Sequence, residues 1–180
     1  VDWDVTAFEN TRKVLVGGEA VSVAHVRKVL ETLGPGRLIN GYGPTETTVF
    51  AAYYPIDHIE QDAQSIPIGY PLANTSLYIL DKQGQLVPSN VLGELYIGGD
   101  GVSIGYLNRA ELNQHKFLDN PFEDTGKLYR TGDLVRMLSS GAIEYIGRTD
   151  FQIKIRGFRV ELGEIENHIK NIPGINEVVV

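Results

Sequence analysis

The order of its secondary-structure signals constrains this chain most. Strand, helix and strand alternate once between residues 13 and 40, and then the alternation stops. The apolar run Val14-Leu15-Val16 reads as a short buried strand ending at Gly17-Gly18. Ser22 is placed as the N-cap of 22-SVAHVRKVLETL-33, in which Val23, Val26, Val29-Leu30 and Leu33 recur at helical spacing. Gly34-Pro35-Gly36 stops that helix, and 37-RLIN-40 is the next strand. Such a unit predicts two parallel strands with a right-handed crossover. The Gly17-Gly18-Glu19 turn reads equally as a ligand-facing loop or as a plain helix start.

The second strand runs into the stretch around which the rest is organised, 37-RLINGYGPTETTVFAAY-53. A tight Gly/Pro turn follows the strand, and a second extended segment begins at Val49-Phe50. Turns at the ends of buried strands are where α/β proteins place ligand groups. This one displays an aromatic face (Tyr42), a hydroxyl (Thr45) and a carboxylate (Glu46). Those parts suit stacking on a flat base, bonding a phosphate oxygen and holding a hard cation. An ordinary surface turn is the competing reading.

After Tyr54 come a polar loop and then short strands: 66-IPIG-69, 76-SLYILD-81, 93-GELYIGG-99, 127-KLYRTGD-133, 134-LVRML-138 and 142-AIEYIG-147. One helix, 109-RAELNQHKFL-118, interrupts them. This spacing predicts a small, mostly antiparallel, barrel-like unit. From Asp150 onward, 152-QIKIRGFRVE-161 alternates with period two, 161-ELGEIENHIK-170 is amphipathic and 175-INEVVV-180 reads as a strand. The fold class is therefore mixed α/β. Residues 1–62 read as a parallel α/β region, 63–149 as a small β-subdomain, and 150–180 as a hairpin and helix of an incomplete domain.

Composition and missing motifs exclude several functions. A formal net charge of −7 argues against a nucleic-acid or membrane-surface binder. The absence of cysteine removes disulfides and thiolate metal sites. There is no membrane-length apolar run, no GxxxxGK[ST] loop, no GxGxxG opening a helix and no GxSxG elbow. The histidines at 25, 58, 115 and 168 are scattered. Two stretches carry positive signal. In 129-YRTGDLV-135 a Thr-Gly turn presents Asp133, whose carboxylate can accept both hydroxyls of a ribose diol or simply cap the turn. In 153-IKIRGFRVE-161, Lys154, Arg156 and Arg159 put three cations on an acidic chain, which points to an anionic partner or to a solvated hairpin face.

Taken in order, VGGEA, NGYGPTETT, GELYIGGDGVSIGYLNRAELNQHKF, LYRTGDLVR and IEYIGRTDFQIKIRGFRVELGEIE resemble the central and late motifs of adenylate-forming enzymes. Within that superfamily the strings resemble the amino-acid-activating adenylation domains of non-ribosomal peptide synthetases, over almost all 180 residues. Pro44 and KIRGFRVELGEIE favour that branch over acyl-CoA ligases and luciferases, with D-alanine-activating ligases as near competitors.

The resemblance implies a two-step ligase using ATP and Mg2+, working in the cytoplasm. An amino acid becomes an aminoacyl-adenylate with release of pyrophosphate. It then passes to the phosphopantetheine thiol of a peptidyl carrier protein domain, beside other synthetase domains. By position, Asn40, Gly41 and Tyr42 meet adenine, Thr45 the α-phosphate and Glu46 the magnesium; Thr45 and Glu46 are thus the catalytic pair. Asp133 holds the ribose, Tyr145 flanks the nucleotide, and Arg148 contacts its ribose or phosphate side. The resemblance also implies that residues 1–62 are the end of a parallel α/β lobe, 63–149 the small β-subdomain, and 150–180 the start of a C-terminal α+β domain. Asp150 is the hinge of the mobile C-terminal domain, and Arg156-Gly157 mark the hairpin that enters the site for thioester formation. Leu15, Gly17, Gly41, Val49 and Phe50 form part of the substrate pocket; two glycines leave volume and Phe50 is a wall, which implies a medium or large uncharged amino acid. The family's phosphate loop and C-terminal lysine are not among these residues, so the stretch alone is expected to be inactive. A non-catalytic docking module or a transplanted subdomain of a megasynthase is the alternative.

Overall fold

The computed structural model describes residues 4–150, 152–155 and 158–180. Strand β1 (Val14–Gly17), helix α1 (Val23–Leu33) and strand β2 (Leu38–Tyr42) realise the expected unit, with β1 and β2 parallel. Strand β1 is not the buried strand expected, because among the described residues it is the end strand of its sheet and leaves Leu15 53% exposed. Ser22 caps α1, its hydroxyl accepting the His25 N–H at 3.5 Å. A one-turn 3-10 helix, Thr45–Thr47, follows β2. Strand β3 (Ala52–Ile56) then returns antiparallel, and β4 (Tyr70–Pro71) joins it, giving the order β1-β2-β3-β4. The apolar face of α1 closes on this sheet through Val26, Leu38, Ile56 and Ile66.

The second sheet is antiparallel. It contains β5 (Thr75–Leu80), β6 (Gly93–Gly99), β7 (Phe117–Asp119), β8 (Lys127–Met137) and β9 (Ile143–Arg148), with helix α2 (Ala110–Lys116) leading into β7. The order is β5-β6-β8-β7 with β9 also on β8, so among the described residues it is not a closed barrel. The strands expected at 127–133 and 134–138 are one 11-residue strand, β8. Its pairing with β6 shifts between Glu94 and Tyr96, and with β9 between Leu134 and Val135. Such shifts bend a strand without ending it. One half of β8 therefore carries β7 and the other carries β9. Ile79, Leu95, Ile97, Val135 and Ile143 form the core beneath, and Ala51, Ile68 and Tyr42 tie the first sheet to it.

Strands β10 (Gln152–Ile155) and β11 (Phe158–Glu161) form an antiparallel hairpin followed by helix α3 (Leu162–Lys170). Three further local expectations fail. Residues 66–69 form no strand; the Ile68 and Gly69 N–H groups share the Ile143 carbonyl, and Pro67 has no N–H to give a ladder. Residues 175–180 carry no regular element, because among the described residues no strand pairs with them. Strand β7 lay hidden in what read as the end of a helix, since Phe117 and Leu118 continue the apolar pattern of α2. No described helix is long and apolar enough to cross a membrane.

Candidate functional site

The two sheets and the hairpin enclose a cavity of about 540 Å³, and six of the seven expected nucleotide contacts line it. Strand β2 supplies Asn40, Gly41 and Tyr42, β8 supplies Asp133, and β9 supplies Tyr145 and Arg148. Gly18 and Glu19 also line it, so the turn left open by sequence faces the cavity. Gln64 and Ser65 from the polar loop, and Gln152 from β10, were missed, while Lys154, read from sequence as part of a basic hairpin, lines the cavity too. Nothing in a polar loop or an alternating hairpin distinguishes its inward residues before the fold is known. Asn40 is buried, and its Nδ2 donates to the Pro67 carbonyl at 2.8 Å, pinning that loop to the cavity wall.

A chain of polar contacts crosses the site. Cross-strand pairing sets Asp133 opposite Arg148. Arg148 Nη1 donates to Asp133 Oδ1 at 2.7 Å, while the Tyr42 hydroxyl donates to Asp133 Oδ2. Arg148 Nε and Nη2 donate to Asp150 Oδ1 and Oδ2, both at 2.7 Å. Burial, and then the Asp133 charge, push the Tyr42 hydroxyl well above the usual phenol range, so it remains a proton donor. Burial likewise raises Tyr145. Burial alone would raise Asp150 too, but the Arg148 hydrogen bonds and charge outweigh it and hold that carboxyl low. Arg148 shows the converse: burial opposes its charge, and the two aspartates more than restore it.

Thr45 and Glu46 lie on the 3-10 turn, outside the cavity lining. Thr45 is exposed. Glu46 is buried and accepts a hydrogen bond from the Tyr106 hydroxyl, which lies 3.5 Å from that of Tyr129. Asn113 of α2 fixes the Tyr106 backbone, accepting from its N–H at 2.7 Å and donating to its carbonyl at 2.9 Å. Sequence reading passed over Tyr106 and Asn113, which stand 60 residues and more from Glu46. Magnesium at nucleotides takes one or two protein carboxylates and completes its shell with phosphates and water. A single buried carboxylate fits that donor set, and among the described residues no three His, Asp or Glu side chains form a larger cage. The chain leaves the turn through Thr48 and Val49 at φ 61° and 71°, a left-handed path that is costly for β-branched residues.

The substrate-pocket residues come together only in part. Gly17 and Gly41 are ladder partners, and a Cβ on Gly41 would lie 2.7 Å from the Phe50 ring. Phe50 thus occupies the space the glycines were expected to leave open. Leu15 and Gly17 line a second, more apolar cavity of about 420 Å³ between β1 and α1. Val49 is 63% exposed and lines neither cavity. Arg156 and Gly157 lie outside the described residues.

Known proteins resemble this chain over its whole length. It is 55% identical over 99% of its residues to bacitracin synthase 1 of Bacillus licheniformis, and 48% identical over all of them to surfactin synthase subunit 1 of Bacillus subtilis. It spans only 3% and 5% of those two proteins. Among solved structures it superposes, with a TM-score of 0.91 and 35% identity, on an NRPS protein containing adenylation and PCP domains bound to a vinylsulfonamide inhibitor. That match covers 98% of this chain and 31% of the other. A four-domain nonribosomal peptide synthetase bound to AMP and glycine matches at 49% identity and a TM-score of 0.68, over 92% of this chain and 12% of its own. The AMP-binding enzyme family matches residues 4–107, more than half of the sequence, and the chain belongs to that family.

Proposed function

We propose that this chain is the central and late part of an amino-acid adenylation domain in a cytoplasmic non-ribosomal peptide synthetase. The observation that carries the reading is the single cavity shared by Asn40, Gly41, Tyr42, Asp133, Tyr145 and Arg148. One carboxylate oxygen of the amino acid attacks the α-phosphorus of ATP. The bond to the bridging oxygen breaks, and pyrophosphate leaves. A phosphopantetheine thiol on a carrier domain then attacks the acyl carbon, loses its proton and expels AMP. The solved relatives that pair adenylation with PCP domains support that partner.

Within this scheme the Tyr42 face stacks on adenine, and Asn40, with Nδ2 engaged by Pro67, offers its side-chain oxygen to the exocyclic amine. Asp133 keeps further lone pairs on its two oxygens for the ribose hydroxyls. Tyr145 bounds the nucleotide and Arg148 secures the ribose side. Thr45 meets the α-phosphate. Glu46 would hold magnesium, which neutralises charge on the phosphates during transfer. Residues 1–62 and 63–149 carry this site, and 150–180 begin the unit that turns about Asp150. The pocket walls Leu15, Gly17, Gly41 and Phe50 carry no charge, so the amino acid is uncharged, since an unpaired ionic side chain there is costly. Its size is set elsewhere, because Phe50 fills the space above the glycines.

Pyrophosphate exchange by the synthetase that carries this chain tests the reading, with a panel of amino acids. An uncharged amino acid drives exchange, and Asp133→Ala weakens ATP binding by about 2–3 kcal/mol through loss of a charge-assisted contact. An unchanged ATP Michaelis constant removes Asp133 from the ribose, and preference for a charged amino acid overturns the pocket assignment.

A further inference from the structure

We propose that Asp150 has a second task beyond that of a hinge: through Arg148 it positions the ribose-binding carboxylate of Asp133. The inference rests on the nucleotide reading of the cavity above. Asp150 lies outside the cavity lining, yet it takes two donors of the Arg148 fork, and a third Arg148 donor holds Asp133. The planar fork has fixed angles, so seating two of its nitrogens on Asp150 fixes where Nη1 points. Asp133 is buried, and its other oxygen is held by Tyr42. Its carboxylate is therefore gripped from both sides, and one grip originates at Asp150.

The backbone is shaped to this clamp. Gly132 takes a φ of 80°, and a Cβ there would lie 2.7 Å from Arg148 Nη2 and 2.9 Å from Asp150 Oδ2. The Thr149 N–H and hydroxyl both donate to the Gly132 carbonyl, at 2.8 and 3.1 Å, stitching the segment that carries Asp150 to the turn that carries Asp133. One guanidinium thus serves both places, and linkage runs in both directions: a hinge that releases Arg148 loosens the ribose site, and a bound ribose favours the clamped hinge.

The test compares ATP with 2′-deoxy-ATP on the synthetase that carries this chain, reading dissociation constants by nucleotide displacement and Michaelis constants by pyrophosphate exchange. The unaltered enzyme prefers ATP by about tenfold or more, the worth of a charge-assisted hydroxyl contact. Asp133→Asn removes most of that preference; if it does not, the nucleotide reading itself falls. Asp150→Asn lowers the preference at least about threefold, and Asp150→Glu restores part of it. Arg148→Lys, which keeps the charge but cannot span two carboxylates, lowers it as well and serves if Asp150→Asn is poorly folded. If Asp133→Asn abolishes the preference while Asp150→Asn or Arg148→Lys weakens both nucleotides equally, or neither, the coupling is overturned and the nucleotide site stands.

Discussion

The β5–β9 sheet and the β10–β11 hairpin with α3 are held in place by different forces. Leu95, Ile97, Tyr129 and Val135 of the sheet are fully buried, and its core cluster reaches across to Ala51 and Ile68. Among the described residues, the hairpin and α3 contribute nothing to any buried apolar cluster. Ile155 is 52% exposed, Phe158 is 74% exposed and α3 buries no residue. What holds the start of this region is polar: the Arg148–Asp150 fork, the Gln152 N–H on Asp150 at 3.2 Å, and buried Gln152. Apolar burial is non-directional and sums over area, whereas a fork of hydrogen bonds can be exchanged for another at little net change. Apolar area holds the sheet, and directional polar contacts hold the start of the hairpin.

The largest expected effect separates the two regions directly. Leu95→Ala should lower unfolding stability by about 2–5 kcal/mol, from lost transfer free energy and a residual cavity. Ile155→Ala, at a half-exposed position, should stay within about 1 kcal/mol. Denaturant titrations of both variants measure this, and equal losses would erase the contrast.

The two regions should also fail at opposite ends of the pH scale. Tyr42 and Tyr106 have raised hydroxyl pKa values, caused first by burial. A raised value means that the unfolded state releases its proton first, so their contribution is whole below about pH 10 and fades as pH rises beyond it. Asp150 is held low by Arg148 despite burial. Its contribution is whole above about pH 4 and is lost as pH falls through the lowered value. Since Asp150 is partly exposed, salt should weaken that tether as well. Hydrogen exchange followed against pH would show β8, which Tyr42 meets at Asp133 and Tyr106 meets at Tyr129, opening first in alkali and β10–α3 first in acid. The reverse order would refute the division.

The smallest effect lies in neither region but where the turn between β2 and β3 stores strain. Val49→Gly should stabilise the fold by about 0.5–1 kcal/mol, because glycine accepts a φ of 71° without a Cβ clash. Thermal unfolding would register it. A loss instead would mean that the exposed Val49 side chain makes contacts worth more than the strain.

Much of this protein was legible in its residues, because the signals are local. Helical spacing from Val23 to Leu33, the Ser22 cap and period-two alternation in β10 depend on backbone geometry within a few residues. The turn residues that brought Tyr42 and Asp133 to attention are local too. The continuity of β8, the hidden β7 and the absence of strand at 66–69 depend on partners far along the chain, so periodicity could not reveal them.

The sequence by itself determined which side chains are displayed at the strand ends. Only the tertiary structure decided which of them meet. Tyr42 reaches Asp133 across 91 residues, and Tyr106 reaches Glu46 across 60. Phe50 lies over Gly41, and Arg148 joins Asp133 to Asp150. The contact of Asp133 with Arg148 requires a register between strands, and those of Tyr42 and Tyr106 require elements far apart in the chain to pack together; neither follows from the preferences of neighbouring residues.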